Sequence, residues 1–216
     1  MGYLTREEIG AVLAAPDQST WIGRRDYALL LTMYNSGARL SEMTCMRRRQ
    51  VKFDSTTCLE LHGKGRKERV IPLWLKTGRV LRNWFRELEP KATEVAFPSV
   101  RGTPLSSDGL DYILQQAVKH ATEACPSLLT KRVTPHLIRH TSAMHLLQAG
   151  VDMAVIALWP VTRASRQRTS TSRQILRSRK KRWNELRQRI ARCVDSRPTI
   201  HCWPFSPRFN IPSSFQ

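Results

Sequence analysis

Four side chains able to grip and polarise a phosphodiester, Arg39, Lys64, His136 and Arg139, lie in segments reading GARLSEM, HGKGRKER and PHLIRH. Two guanidiniums can give paired, charge-assisted hydrogen bonds to non-bridging phosphate oxygens. A lysine ammonium can pass a proton to a departing oxygen, and an imidazole can orient or deprotonate a hydroxyl. Such a set needs no metal, because its cations stabilise the charge that Mg²⁺ stabilises elsewhere. Taken singly, each residue also has a plainer explanation. An arginine in a bend is ordinarily a surface residue, a basic glycine-rich tip is also a solvated turn, and a lone histidine is more often structural. Glu42, three residues after Arg39, is either a brace for the site or an exposed helix carboxylate.

The elements that would position these residues follow from local signals. Thr5-Arg6-Glu7-Glu8 fits a capping box and predicts a helix over 6–15. A second helix runs from near Arg24 to Tyr34, with Tyr27, Leu30, Leu31 and Tyr34 as its apolar stripe, and Asn35-Ser36-Gly37 ends it. Ser41 is the expected cap of a short third helix holding Glu42 and Met43, which leaves Arg39 in the bend. Residues 57–62 and 69–73 flank Gly63-Lys64-Gly65-Arg66-Lys67 and read as a β-hairpin with a basic tip. Arg66, Lys67 and Arg69 are its candidate DNA contacts. Further helices are expected over 73–88 and 107–124, with a loop at 97–106 between them. Thr134 as N-cap and Pro135 at the first position start another. His136 and Arg139 then share a face in its opening turns, where unpaired N–H groups and the helix dipole favour an anion. Gly150 ends that helix and 152–159 begins the next.

The chain has 216 residues, enough for one domain with an appendage, and carries a net charge of +19 with a pI near 10.8. This favours a polyanionic partner. The charge is uneven: residues 1–159 hold 22 Lys and Arg against 15 Asp and Glu, residues 160–216 hold 14 against 2. Five cysteines in no metal-ligand spacing predict a reducing compartment and no structural zinc. No apolar run nears the roughly 18 residues of a membrane span, and the N-terminus lacks the order of a signal peptide. Arg6 stands where a myristoylation signal needs Ser or Thr. A cytoplasmic protein is expected.

The three segments, in this order, resemble the tyrosine recombinase (phage integrase) family, and the resemblance runs from about Tyr3 to Trp159. It implies an α+β, mainly helical catalytic core with a small antiparallel sheet. It implies a phosphate held by Arg39 and Arg139, Lys64 as general acid, His136 beside the nucleophile, and Glu42 at a supporting acidic position. It implies double-stranded DNA as partner, assembly with like subunits or intact recombinase subunits, and no cofactor. The family's nucleophile is a tyrosine after these motifs, yet Tyr3, Tyr27, Tyr34 and Tyr112 all precede His136.

After DMAVIALW the family gives a Gly-His pair and, nine residues beyond the His, the tyrosine. Here the chain reads PVTRASRQRTSTSRQ. A Thr codon begins AC, and AC as the last two bases of a codon encodes only Tyr, His, Asn or Asp; Thr162 and Thr171 are nine apart. With suitable wobble bases, residues 160–175 regroup from their third base into GHESVETTHIYIQAD. The expected organisation is therefore a partial catalytic domain over 1–159 and a basic, out-of-frame, disordered tail over 160–216. The core-binding domain that many members carry upstream is expected to be absent. The function implied is site-specific DNA cleavage and rejoining, in integration or recombination of a mobile element, with this product inactive because the tyrosine and the second motif histidine are missing. The alternative is a non-catalytic DNA-binding remnant that occupies a recombination site or interferes with an intact relative. An unrelated basic transcription regulator is disfavoured by the three ordered motifs.

Overall fold

The computed structural model describes residues 2–54, 56–63, 67–88 and 94–151. Helix α1 (Arg6–Ala14) opens on the expected capping box: Thr5 Oγ1 accepts from the Glu8 N–H at 3.2 Å, and Glu8 Oε2 accepts from the Thr5 N–H at 2.8 Å. Helix α2 (Trp21–Ser36) starts three residues before the expected Arg24, because Thr20 caps it by accepting from the Gly23 N–H. The preceding loop folds tightly over that turn, and a Cβ at Gly23 would lie 1.8 Å from the Asp17 carbonyl oxygen.

The expected apolar stripe on α2 is wider than a stripe. From Ala28 through Ser36 every residue is buried, Thr32, Asn35 and Ser36 included. A helix enclosed on all sides has no wet face to set an amphipathic period. It packs against α4 and α6, and α1 and α3 pack against α5. Gly37 closes α2 in the left-handed region (φ 56°), returning its N–H to the Met33 carbonyl.

Helix α3 (Leu40–Thr44) corrects one expectation: Arg39, not Ser41, is the N-cap, with an extended backbone at φ −73° and ψ 156°. A guanidinium has no acceptor, so the cap is supplied by Glu42, whose carboxylate reaches back to the Arg39 N–H. Strands β1 (Val51–Phe53), β2 (Thr57–Gly63) and β3 (Lys67–Pro72) form an antiparallel sheet in that order. The hairpin is where the sequence puts it, with Gly63 opposite Lys67. Strand β1 carried no signal, since three residues are too few for a period of two. Lys64 and Arg66 lie outside the described residues, and Lys67 enters only through its backbone position at the start of β3.

Helix α4 (Leu75–Leu88) begins two residues later than expected because Pro72 still pairs with Cys58 in the sheet. Helices α5 (Ser107–Ala124) and α6 (Pro135–Gln148) begin where their caps predict, on Ser106 and Thr134. Gly150, at φ 79°, follows the end of α6. The helix expected over 152–159 and the tail over 160–216 lie outside the described residues. One continuous apolar core joins Leu29, Leu30 and Met33 of α2, Leu59, Leu61 and Ile71 of the sheet, Leu81 and Leu88 of α4, and Leu110 of α5. The fold is mainly helical with one small antiparallel sheet. Among the described residues Cys45, Cys58 and Cys125 are free thiols, and no helix is long and apolar enough to cross a membrane.

Candidate active site

Arg39 sits at the bend between α2 and α3, with its side chain 41% exposed. Its backbone N–H donates to Glu42 Oε2 at 2.7 Å, while among the described residues its guanidinium makes one long contact, Nη1 to Glu42 Oε1 at 3.4 Å. The Glu42 carboxylate is 7% exposed, so it is a buried anion rather than a solvated helix carboxylate. Its stronger partner is Arg69, whose Nη2 donates to Oε2 at 2.5 Å.

Arg69 departs from the sequence expectation of a DNA contact beside the hairpin tip. It is buried at 9% exposure, because strand alternation turns it to the same face as Ile71 while Val70 faces outward. Its Nε has no hydrogen-bond partner among the described residues. Burial lowers the Arg69 pKa from its ordinary value and Arg39 adds to this, with Glu42 opposing.

Arg139 reaches the same neighbourhood from the second turn of α6, where its Nη1 donates to the Gly37 carbonyl at the end of α2. Burial, then the positive charges of Arg69 and Arg39, push its pKa down to about 10, with Glu42 acting the other way. It remains protonated at neutral pH. Arg39 and Arg69 thus pair with one carboxylate, Arg139 feels its charge and theirs, and the surplus positive charge favours an oxyanion.

The N-terminus of α6 adds to that preference. Thr134 Oγ1 accepts from the Leu137 N–H at 3.2 Å and Pro135 has no N–H to satisfy. His136 is exposed on the first turn of α6, three residues before Arg139. Among the described residues no group of three or more His, Cys, Asp or Glu is placed to hold a metal ion.

Three of the four tyrosines contact other side chains. Tyr34 is buried in α2 and its hydroxyl lies 2.8 Å from His145 Nδ1; burial pushes its pKa up to about 12. The Tyr3 hydroxyl accepts from Gln148, Lys76 lies over the Tyr27 ring, and Tyr112 is exposed on α5. Two parts of this arrangement were missed in the sequence. The inward facing of Arg69 was readable from its alternation with Ile71 along β3, but its pairing with Glu42 was not. The Arg139 contact with Gly37 spans 102 positions and has no local signal.

Residues 2–158 match the Phage integrase family. The chain belongs to that family. It is 51% identical over 159 residues to the Sinorhizobium fredii protein named "Putative integrase/recombinase y4rC", covering 74% of this chain and 48% of that protein. It is 35% identical over 159 residues to the tyrosine recombinase XerC of Oceanobacillus iheyensis, covering 70% of this chain and 50% of that one. The chain thus spans about half the length of the curated relatives it matches. Its fold is similar to the crystal structure of XerA recombinase, with a TM-score of 0.66 at 22% identity over 83% of this chain and 64% of that one. It is also similar to the XerH site-specific recombinase bound to its difH substrate in a pre-cleavage complex, with a TM-score of 0.62 at 20% identity, covering 73% and 46%. The fold is that of tyrosine recombinase catalytic domains.

Proposed function

We propose that this chain is the phosphate-gripping part of a site-specific DNA recombinase which, as the sequence stands, holds a phosphodiester without cutting it. The observation that carries this reading is that Arg139 donates to the Gly37 carbonyl, two residues before Arg39, whose own N–H is held by the buried Glu42 carboxylate, in a sequence with no tyrosine after Tyr112.

In this reading Arg39 and Arg139 bind the two non-bridging oxygens of a phosphate in double-stranded DNA. Lys64, on the hairpin connection, donates a proton to the 5′ oxygen as it leaves, and His136 orients or deprotonates the attacking hydroxyl. Glu42 holds Arg39 in place. Arg66 and Lys67 neutralise neighbouring phosphates. No step requires a metal or cofactor. In an intact member a tyrosine hydroxyl attacks phosphorus, the 5′ oxygen departs with a proton, and a 3′-phosphotyrosine retains the bond energy for rejoining. Without that hydroxyl the sequence of events stops at binding. The chain then occupies a recombination site, alone or beside further copies or intact recombinase subunits. Residues 160–216 are an out-of-frame extension of a catalytic domain.

A nicked suicide duplex incubated with the purified chain alone tests this. No covalent protein–DNA adduct is expected, whereas a chain restored to the GHESVETTHIY frame is expected to form one. An adduct mapped to Tyr27, Tyr34 or Tyr112 would overturn the reading.

A further inference from the structure

We propose that Arg69 is a positioning residue for the phosphate grip: bound to Glu42 from the buried side of the site, it fixes the carboxylate that sets the direction of Arg39. This rests on the reading of Arg39 and Arg139 as phosphate ligands.

The geometry is layered. Arg69 and Glu42 have side chains 7% exposed, while the Arg39 side chain is 41% exposed. Glu42 Oε2 is committed twice, to Arg69 Nη2 at 2.5 Å and to the Arg39 N–H at 2.7 Å. Among the described residues the Arg39 guanidinium is held by the long 3.4 Å contact to the other oxygen. It is therefore guided by the carboxylate without being captured by it. Removal of the Arg69 charge leaves a buried carboxylate without its close cation, a state that the interior strongly disfavours. Arg39 is the neighbouring cation already in contact, so its guanidinium turns inward to replace Arg69 and withdraws from the exposed face. Arg69 also lies on β3, the strand that continues from the Lys64-bearing connection. The Arg69–Glu42 pair thereby ties the hairpin to α3. Its burial keeps Arg69 itself out of reach of a DNA backbone.

A double-mutant cycle on the full chain separates this from a structural role and from direct contact. Binding to a short duplex of arbitrary sequence is followed by fluorescence anisotropy across a salt series for R39A, R69M and R39A/R69M, with folding checked by circular dichroism. R39A and R69M are each expected to weaken binding about tenfold. Each is also expected to lower the salt slope by about one phosphate contact. R69M should have no further effect in the R39A background. Full additivity would make Arg69 a phosphate ligand in its own right, or a residue whose loss acts independently of Arg39, and would overturn the proposal. A full R39A effect with no R69M effect would sink the positioning role alone, whereas an R39A chain equal to the unaltered one would sink the phosphate-grip reading beneath it. If R69M does not fold, R69Q, which removes the charge but keeps a polar side chain beside Glu42, takes its place in the cycle, with the same non-additivity expected and additivity again decisive against the role.

Discussion

Gly37 serves two elements at once: its left-handed φ of 56° closes α2, and its carbonyl accepts from Arg139 on α6. An L side chain at this φ costs about 1 kcal/mol, less for asparagine, which tolerates the region. Gly37→Ala is therefore expected to lower unfolding free energy by about 1 kcal/mol in urea titration, with Gly37→Asn costing less. An alanine variant as stable as the parent chain would refute the assigned cap. The positions of Arg39 at the α2–α3 bend and of His136 and Arg139 in the opening turns of α6 were legible at this scale because local caps mark those boundaries. The burial of Arg69 was not anticipated from its place beside the basic hairpin tip, because the strand period and not the charge decides which way a side chain faces. Glu42 could be read either as a brace or as a solvated carboxylate, and only the fold, by bringing β3 beneath α3, distinguishes the two.

Helix α6 is held from behind by the start of the chain. Thr141 Oγ1 accepts from the Leu4 N–H at 3.1 Å, His145 meets the Tyr34 hydroxyl, and Gln148 Nε2 donates to the Tyr3 hydroxyl at 2.7 Å. These residues follow one another along one face of the helix that carries His136 and Arg139. A second tie is made by Glu8 at 2% exposure, which accepts from Ser127 and Lys131 just before α6. Desolvation there raises the Glu8 pKa, but the hydrogen bonds outweigh it and the net shift is downward.

The Tyr34 hydroxyl and His145 Nδ1 lie 2.8 Å apart in the buried interior, a setting that favours the uncharged imidazole. Burial, then Arg6, lowers the His145 pKa below its ordinary 6.5, although a backbone hydrogen bond at Leu4 opposes the shift. Below pH 6.5 the unfolded chain thus binds a proton that the folded chain resists. The His145 contribution is whole above that pH and is lost as pH falls below it. The urea midpoint is expected to drop between pH 7.5 and 5.5, and to drop less in His145→Gln; equal pH dependence in both chains would reject this account. The helices of this scale were readable from caps. Their mutual ties were not, because hydrogen bonds across more than a hundred residues have no period in the sequence.

Over the whole molecule the charge divides the chain more sharply than hydropathy does. Residues 1–159 have 22 Lys and Arg against 15 acids, residues 160–216 have 14 against 2, and Arg163 to Arg192 contain a single acid, Glu185. The described part was legible because each motif-bearing segment sits at an element boundary that local chemistry marks: a helix stop, a hairpin and a capped helix start. Binding of the full chain to duplex DNA should then have two separable components, a diffuse one from the basic tail and a local one from the Arg39–Arg139 grip. Counterion release makes the first fall steeply with salt, about in proportion to the phosphates neutralised. Truncation after Trp159 should therefore reduce both non-specific affinity and salt slope by far more than any single arginine substitution, while Arg39→Ala should produce the same proportional loss with or without the tail. The measurement is anisotropy against a salt series for the full and truncated chains, each with and without Arg39→Ala. If the arginine substitution loses its effect once residues 160–216 are removed, the grip does not act independently of the tail, and the two-component account fails.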